Sequence, residues 1–386
     1  MKKKGTSQKI ETHICIIGSE DVDARIPFIE LLEKKNCRFT VLGTSDGESF
    51  RNKNIPFIRY KLNREFSPFK DAATVLQLRR IFKNHDFEII QTFDTKPSFL
   101  APLSLLFMRK KPRLYRTITG MGRIFSLNSI FYAFQRYLYG LIQRILKKRV
   151  DMTIFQNNDD EKYFIQKKWV EKNRYSLIKS SGIDLKNYTQ NSSVKEKKQF
   201  RKKLNIPEKD IVIIMIGRLV KEKGVDYFIE AARQFHLSRN KATFLLVGPT
   251  ESKNKNSYSE NKLLSHSSYM KYLGKRNDIK QLLSIADIFV LPTYYREGVP
   301  RVLLEASAMG LPIVATDIAG CNDVVSNGVN GFLVPVKDTV KLIEKLNELY
   351  SSAELRKKFG NNNKKIIQVF NLDLISKQYL DLYKMK

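Results

Sequence analysis

Short apolar runs alternate along this chain with longer segments in which apolar positions return every three or four residues. In the first half the runs are HICIIG (13–18), FTVLG (39–43), FEIIQTF (87–93), RLYRTI (113–118), MTIFQN (152–157) and YSLI (175–178), each read as a strand. Between them lie helical patterns at about 28–36, 69–84, 97–108 and 128–148. Over 69–84 the spacing sets Ala72, Ala73, Leu76 and Ile81 near one face. Strands separated by helical segments of ten or more residues predict right-handed crossovers and a parallel sheet.

A polar, lysine-rich stretch, 184–210, breaks the alternation and reads as a linker with a short charged helix. The pattern then restarts with IVIIMIG (211–217), ATFLLVG (242–248), IFVLP (288–292), PIVAT (312–316) and GFLVP (331–335). Helices are expected near 224–236, 277–285 and 300–309, and the tail from about 338 is helical in pattern. The expectation is an α/β chain with one domain over 1–188, a second over 189–365, and a terminal helix, 366–386, free to pack back on the first. Open parallel sheets bind ligands outside the carboxyl ends of their strands, so motifs directly after strands are the candidates.

Two such motifs stand out. In REGVPRVLLEASAMGLPIVAT (296–316) Glu297 and Glu305 are eight positions apart, and Gly298, Val299 and Pro300 lie between a strand end and a helix start. Pro300 suits the first helical turn, where a missing N–H costs nothing. The amides of 298–301 would then project from a helix N-terminus and favour an anion or a hydroxyl. Glu297 either caps that helix or serves a ligand, and Glu305 is either solvated or serves one. In IGRLVKEKGVDYFIEAA (216–232) a strand ends at Gly217, Arg218 follows, and Lys223 precedes Gly224 and a helix. Two cations at such a turn suit a diphosphate, because Arg can fork onto two oxygens while Lys acts as a movable point charge. A solvated basic loop is the competing reading.

Charge and cysteine content narrow the classes. Lys and Arg number 69 against 39 Asp and Glu, a net charge of +30. That excess suits a polyanionic partner or reflects a lysine-biased composition. It is unevenly spread: 101–150 holds eleven basic residues and no acidic one. Three cysteines and four scattered histidines suit neither a disulfide framework nor a zinc site, and the reducing cytoplasm is the expected compartment. MKKKGTSQKIETH (1–13) is basic but no apolar run succeeds it, so a secretory leader is not expected. The longest apolar stretch, 99–108, is too short to span a bilayer, which takes roughly 20 residues.

Taken together, GRLVKEKG (217–224), LGKRNDIKQLLSIADIFVLPTYYREG (273–298), EGVPRVLLEA (297–306) and GCNDVVSNGVNGFLVP (320–335) resemble glycosyltransferase family 4, almost continuously from 211 to 335. The resemblance implies the GT-B architecture, two facing Rossmann-like domains with parallel sheets, and a retaining, nucleotide-sugar-dependent hexosyltransferase. It implies that Arg218 and Lys223 hold the donor diphosphate beside Gly217. Glu305 would bind the ribose hydroxyls, and Glu297 the transferred sugar as the catalytic carboxylate. Gly298, Val299 and Pro300 would offer backbone to sugar hydroxyls and phosphate, and the loop around Arg276 would line the base pocket or be merely a polar turn. No metal or other cofactor is expected, because Arg218 and Lys223 can neutralise the leaving diphosphate.

The N-terminal half resembles members that extend polyprenyl-diphosphate-linked oligosaccharides for surface polysaccharides such as O-antigen or capsule. Thr119, before Gly120, stands where many members carry His, and Gly18-Ser19 where many carry Gly-Gly. These three positions, Gly18, Thr119 and Gly120, are the acceptor-side candidates, with Thr119 also readable as a turn-lining hydroxyl. Leu127, Phe131, Phe134, Leu138, Leu141 and Ile145 repeat at helical spacing, with Arg136, Gln143 and Lys147 on the other side. That stripe reads best as the core face of a helix, or else as an amphipathic surface for an anionic membrane. The flanking Arg109, Lys110, Lys111, Arg113 and Arg123 read as contacts to a membrane or an acceptor diphosphate. The expected partners are a nucleotide sugar, a lipid-linked saccharide and an anionic membrane surface, with the protein peripheral on the inner face of the plasma membrane. A nucleotide-sugar epimerase of the same architecture is the rival enzyme. A basic nucleic-acid-binding protein is the rival from another class, but no RNP strand, helix-turn-helix or zinc-ligand set supports it, and no nucleic acid is expected.

Overall fold

The structure is a computed structural model describing residues 11–385, apart from 20, 64–66, 107, 110, 127–128, 190–192 and 252–253. Lys110 and Leu127 lie outside the described residues, as does the side chain of Arg123. The chain divides into two units, Met1–Lys179 with Asp373–Lys386, and Ser180–Leu372.

The first unit holds β1 (Thr12–Ile17), β2 (Cys37–Gly43), β3 (Phe57–Arg59), β4 (Ile89–Thr92), β5 (Arg113–Ile118), β6 (Met152–Phe155) and β7 (Tyr175–Leu177). They form one parallel sheet in the order β3-β2-β1-β4-β5-β6-β7. The second holds β8 (Ile211–Ile216), β9 (Ala242–Val247), β10 (Met270–Tyr272), β11 (Ile288–Leu291), β12 (Ile313–Thr316) and β13 (Gly331–Val334). Its parallel order is β10-β9-β8-β11-β12-β13. The central strands are buried on both faces, which is why they read as unbroken apolar runs rather than alternating ones. Each order reverses once, between β1 and β4 and between β8 and β11, and these reversals are where such sheets open a crevice. The edge strands β3 and β10 were not foreseen; at three residues each they are too short to show a period.

The unit boundary, after Lys179, precedes the expected one at 188. Ile183 lies in the core of the second unit, with Leu185 and Tyr188 packed against it. Its backbone bonds Phe370 and Leu372, Ile183 N to Phe370 O at 2.9 Å and Leu372 N to Ile183 O at 3.0 Å. Apolar anchoring of 183–188 thus outweighs its polar surroundings. The last helix, Leu372–Lys384, belongs with the first sheet. The Tyr379 hydroxyl meets that of Thr117 at 3.0 Å, and the Tyr383 hydroxyl donates to Gln91 Oε1 at 3.1 Å.

Two helices differ in facing from the expectation. In Pro68–Asn84 the buried positions are Asp71, Thr74, Leu78 and Phe82, while Ala72, Ala73 and Leu76 are exposed. Polar contacts turn it: Lys96 pairs with Asp71 at 2.6 Å and Thr74 Oγ1 donates to Lys61 O at 2.9 Å. In Ile130–Leu146 the stripe expected to face the core is outward, with Phe131, Phe134, Leu141 and Ile145 exposed and Tyr139, Gly140, Gln143 and Leu146 buried. Among the described residues no helix is long and apolar enough to cross a membrane.

Candidate active site

At the second reversal β8 ends in Ile216, and Gly217 and Arg218 follow at its carboxyl end. A short 3-10 turn, Lys221–Lys223, then leads through Gly224 into the helix Val225–Leu237. Gly224 is in the left-handed region at φ +81°, and a Cβ there would lie 2.0 Å from the Pro292 carbonyl oxygen. Only glycine lets this turn close on the strand end of β11. A Cβ on Gly217 would meet no protein atom within 4 Å, so that position faces open space.

Glu222 fastens the turn. Its carbonyl accepts from Thr293 Oγ1 at 3.1 Å and from Tyr294 N at 2.9 Å, and its carboxylate accepts from Asn256 Nδ2 at 2.5 Å. Held this way, Lys223 forms an ion pair with Glu297, the two side chains retaining only 9% and 20% exposure. A solvated basic loop is therefore not what Lys223 occupies. The Glu297 carboxylate is on that lysine.

Arg218 donates through Nη1 to Glu251 Oε1 at 3.0 Å. Burial works against the Arg218 charge, but the bond and charge of Glu251, with Tyr295 and Glu297 nearby, carry its pKa upward. Glu251 is itself fixed, its amide donating to Ser257 Oγ at 2.7 Å and its Oε2 accepting from Asn254 at 2.8 Å. Arg218 and Lys223 thus each have a carboxylate opposite them.

Pro300 is the N-cap of Arg301–Ala308, one position before the expected first turn, with Leu303 N donating to its carbonyl at 3.0 Å. An extended ψ of 121° keeps it out of the helix proper. Gly298 lies under Gly320, whose φ is +85° and whose Cβ would sit 1.5 Å from the Gly298 carbonyl oxygen. The loop after β12 therefore presses on the backbone at 298, next to Val299 and Pro300. Glu305 is not solvated. Burial raises its pKa, and the Arg301 guanidinium and the Tyr188 hydroxyl, both bonded to it, act the other way. Arg276 comes after β10 and forks its guanidinium onto Asp278, with Nε to Oδ1 at 2.8 Å, so its side chain is spent within its own loop.

The first reversal has a different make-up. Gly18 comes directly after β1, and its carbonyl accepts from the Tyr60 hydroxyl at 2.9 Å. Ser19 donates to Asp94 Oδ2 from its amide at 3.0 Å and from its hydroxyl at 2.6 Å. Thr119 Oγ1 points at Asp94 Oδ1 from 3.4 Å, and Thr95 Oγ1 donates to Gly120 O at 3.0 Å. Asp94, just after β4, thereby ties together Gly18-Ser19 and Thr119-Gly120, with φ +69° and ψ 155°, a conformation that glycine favours. Asp94, Glu222, Glu251 and Tyr188 were not singled out from sequence. For Asp94 a signal existed, its place directly after a strand; the other three are joined only by long-range contacts. Among the described residues no three His, Cys, Asp or Glu side chains gather as metal ligands.

Comparison with known proteins agrees with this geometry. Residues 196–366 match the family model for glycosyl transferases group 1. The chain is 30% identical over 370 residues to N,N'-diacetylbacillosaminyl-diphospho-undecaprenol alpha-1,3-N-acetylgalactosaminyltransferase of Campylobacter jejuni, covering 95% of this chain and 96% of that one. It is 28% identical over 328 residues to UDP-Gal:alpha-D-GlcNAc-diphosphoundecaprenol alpha-1,3-galactosyltransferase of Escherichia coli, covering 83% and 82%. Among solved structures, Anabaena HepE in complex with UDP-glucose superposes with a TM-score of 0.76 at 19% identity, over 96% of this chain and 99% of that one, a likeness of fold. Two Rossmann-like parallel sheets, a cation-and-carboxylate cluster at the second reversal, and a relative matched over nearly its whole length agree: the chain belongs to the group 1 glycosyl transferases.

Proposed function

We propose that this glycosyltransferase moves a hexose or N-acetylhexosamine, with retention of configuration and without a metal ion, from a nucleotide-diphospho sugar to a polyprenyl-diphosphate-linked saccharide. The setting is the assembly of a surface polysaccharide at the inner face of the plasma membrane. The observation that carries the reading is the Lys223–Glu297 pair beside Arg218 at the reversal between β8 and β11. Cleaving a sugar–diphosphate bond leaves an electron pair on the phosphate oxygen and positive charge on the ring. Arg218 and Lys223 stabilise the first, and Glu297, released from Lys223 as the diphosphate takes its place, stabilises the second. The acceptor hydroxyl attacks from the face the phosphate leaves, and that phosphate oxygen takes its proton. Atoms and charge then balance without a covalent glycosyl-enzyme.

The names of the Campylobacter and Escherichia relatives make a UDP sugar of galacto configuration the first donor to try, and an undecaprenyl-diphosphate-linked amino sugar the first acceptor. Neither name suggests an epimerase or a nucleic-acid-binding protein. The test is transfer from UDP-galactose, UDP-N-acetylgalactosamine and GDP-mannose to a short polyprenyl-diphosphate-linked N-acetylglucosamine, in EDTA, with the product anomer read by NMR. An α-linked product in EDTA is expected; a β-linked product, or dependence on added metal, overturns the respective part.

A further inference from the structure

The edge of the second sheet opposite its reversal loops carries a cavity of about 390 Å³. It is bordered by Asp287, which leads into β11, and by 309–312, which lead into β12. The helices Val194–Lys203 and Ala353–Ile366 wall it, and all of it belongs to the unit Ser180–Leu372. Lys197 lines it from the first helix, and Arg356, Lys357 and Lys364 line it from the second.

Packing holds these cations in place. Lys357 and Lys364 are two turns apart and so share a side of their helix. Gly360 between them seats the helix against the chain entering β12, where a Cβ would run into the Gly310 carbonyl oxygen. The stem of Lys364 lies over Gly310, its Cε 2.5 Å from where a Cβ on that glycine would be. Arg356 Nη1 donates to Leu349 O at 2.6 Å and to Tyr350 O at 2.8 Å. Those carbonyls fix the guanidinium without cancelling its charge.

Carboxylates do not balance the group. The ammonium groups of Lys197, Lys357 and Lys364 make no ion pair or hydrogen bond within the described residues. Elsewhere in the same unit Lys198 meets Glu208 at 2.6 Å and Lys341 meets Glu344 at 2.6 Å. Asp287 is the one acidic residue lining the cavity among the described residues, and its Oδ2 accepts from Val212 N at 2.8 Å. Four cations around one cavity repel one another, and an anion that enters relieves the repulsion. The floor is apolar, with Leu283 and Leu311 buried and Met309 beside them. A cavity of this size with an apolar floor and a few convergent charges suits a small organic anion.

We propose that this cavity binds a nucleoside di- or triphosphate, with its phosphates on Lys197, Lys357 and Lys364 and its ring on Leu283, Met309 and Leu311. The site is separate from the Arg218–Lys223 cluster, which lies at the carboxyl ends of the same sheet, and it does not rest on the proposed function.

Calorimetric titration of ATP into the full chain at about 0.1 M salt tests it. Wild type should bind, and K357E/K364E should bind at least about tenfold more weakly, the scale for lost charge-assisted contacts. K83E/K172E, an equal change of charge on exposed lysines of the first unit, should lose less than about twofold. Arg218→Ala should also lose less than about twofold, being at the other edge of the sheet. Inorganic pyrophosphate should displace ATP yet bind at least about tenfold more weakly, having no ring for the floor. Circular dichroism melts confirm that the variants fold. A wild type that does not bind ATP at about 1 mM overturns the inference. So does a loss in K83E/K172E equal to that in K357E/K364E, which reduces the binding to the pull of a chain of net charge +30. An equal loss in Arg218→Ala moves the nucleotide to the second reversal and overturns it too. Pyrophosphate that binds as tightly as ATP removes the floor from the site and overturns the nucleotide assignment.

Discussion

The two strand-order reversals share a topology and differ in their chemistry. After β8 and β11 the chain sets Arg218 and Lys223 against Glu251 and Glu297. After β1, β4 and β5 it sets one carboxylate, Asp94, against the hydroxyls of Ser19 and Thr119. A Rossmann-like sheet thus delivers loops to one edge whatever their sequence, and the side chains on those loops decide the ligand. The second unit carries charges that a diphosphate can exchange into; the first carries a hydrogen-bonded tie between three loops. Ion pairing at the second reversal has a further consequence. On the proposed function, with both cations already paired, an incoming diphosphate would displace carboxylates, so part of its attraction would be offset and Glu297 freed only with donor bound.

The strongest way to break that contrast is Glu297→Ala. Turnover should fall by at least about 100-fold, the scale for losing one group that stabilises transition-state charge. Nucleotide diphosphate affinity, read by calorimetry, should stay level or tighten, because Lys223 loses its competing carboxylate. Turnover near wild type would remove Glu297 from the chemistry; weakened nucleotide binding would mean that it anchors the ground state.

Next in size is Arg218→Ala, which should weaken nucleotide diphosphate binding by roughly 10- to 100-fold, as for a lost charge-assisted bond. Lys223→Ala is less clean, since it leaves Glu297 largely buried without its cation. Arg276→Ala should change the same affinity by less than about threefold, because its guanidinium is committed to Asp278. Equal losses at 218 and 276 would dissolve the distinction between the reversal and the edge of the sheet.

The strands and the two motifs at the second reversal were legible because their signals are local: continuous apolar runs for buried parallel strands, and motifs placed directly after them. What sequence could not reveal was which partner each charge would find. Lys223 and Glu297 are 74 positions apart, and Arg218 and Glu251 are 33 apart. The Ile130–Leu146 helix shows the same limit: periodicity marked its apolar stripe, but its facing was decided by Arg116 and Trp169, far from it in sequence. In Pro68–Asn84 the Lys96–Asp71 pair overrode the alanine-rich face in the same way.

Asp94→Ala tests the first reversal. It removes the acceptor of the Ser19 bonds while keeping a side chain at φ +69°, and should lower stability by about 1–3 kcal/mol. Asp94→Gly loses the same bonds but relieves the backbone, so its melting temperature should lie above that of the alanine variant. Donor affinity should not move in either. A glycine variant less stable than the alanine one would mean the conformation carries no strain.

The smallest effect concerns Glu305, and its sign can be worked out. Burial holds its folded-state pKa above the usual carboxylate value of about 4.3, with Arg301 and Tyr188 limiting the rise. Between the two values the folded state binds more protons than the unfolded state, so stability falls as pH rises through that window and remains lower above it. Glu305→Gln removes the dependence. The variant's stability should gain on wild type as pH climbs from about 4 to about 7, by less than about 1 kcal/mol, because Arg301 and Tyr188 offset part of the burial cost. Nucleoside binding should run the other way. If the ionised carboxylate accepts from ribose hydroxyls, wild-type affinity declines as pH drops through the window and converges on that of the variant. A gap between the two that stays constant with pH would mean Glu305 acts only through packing against Tyr188, and the second unit would then read its ligand through the diphosphate alone.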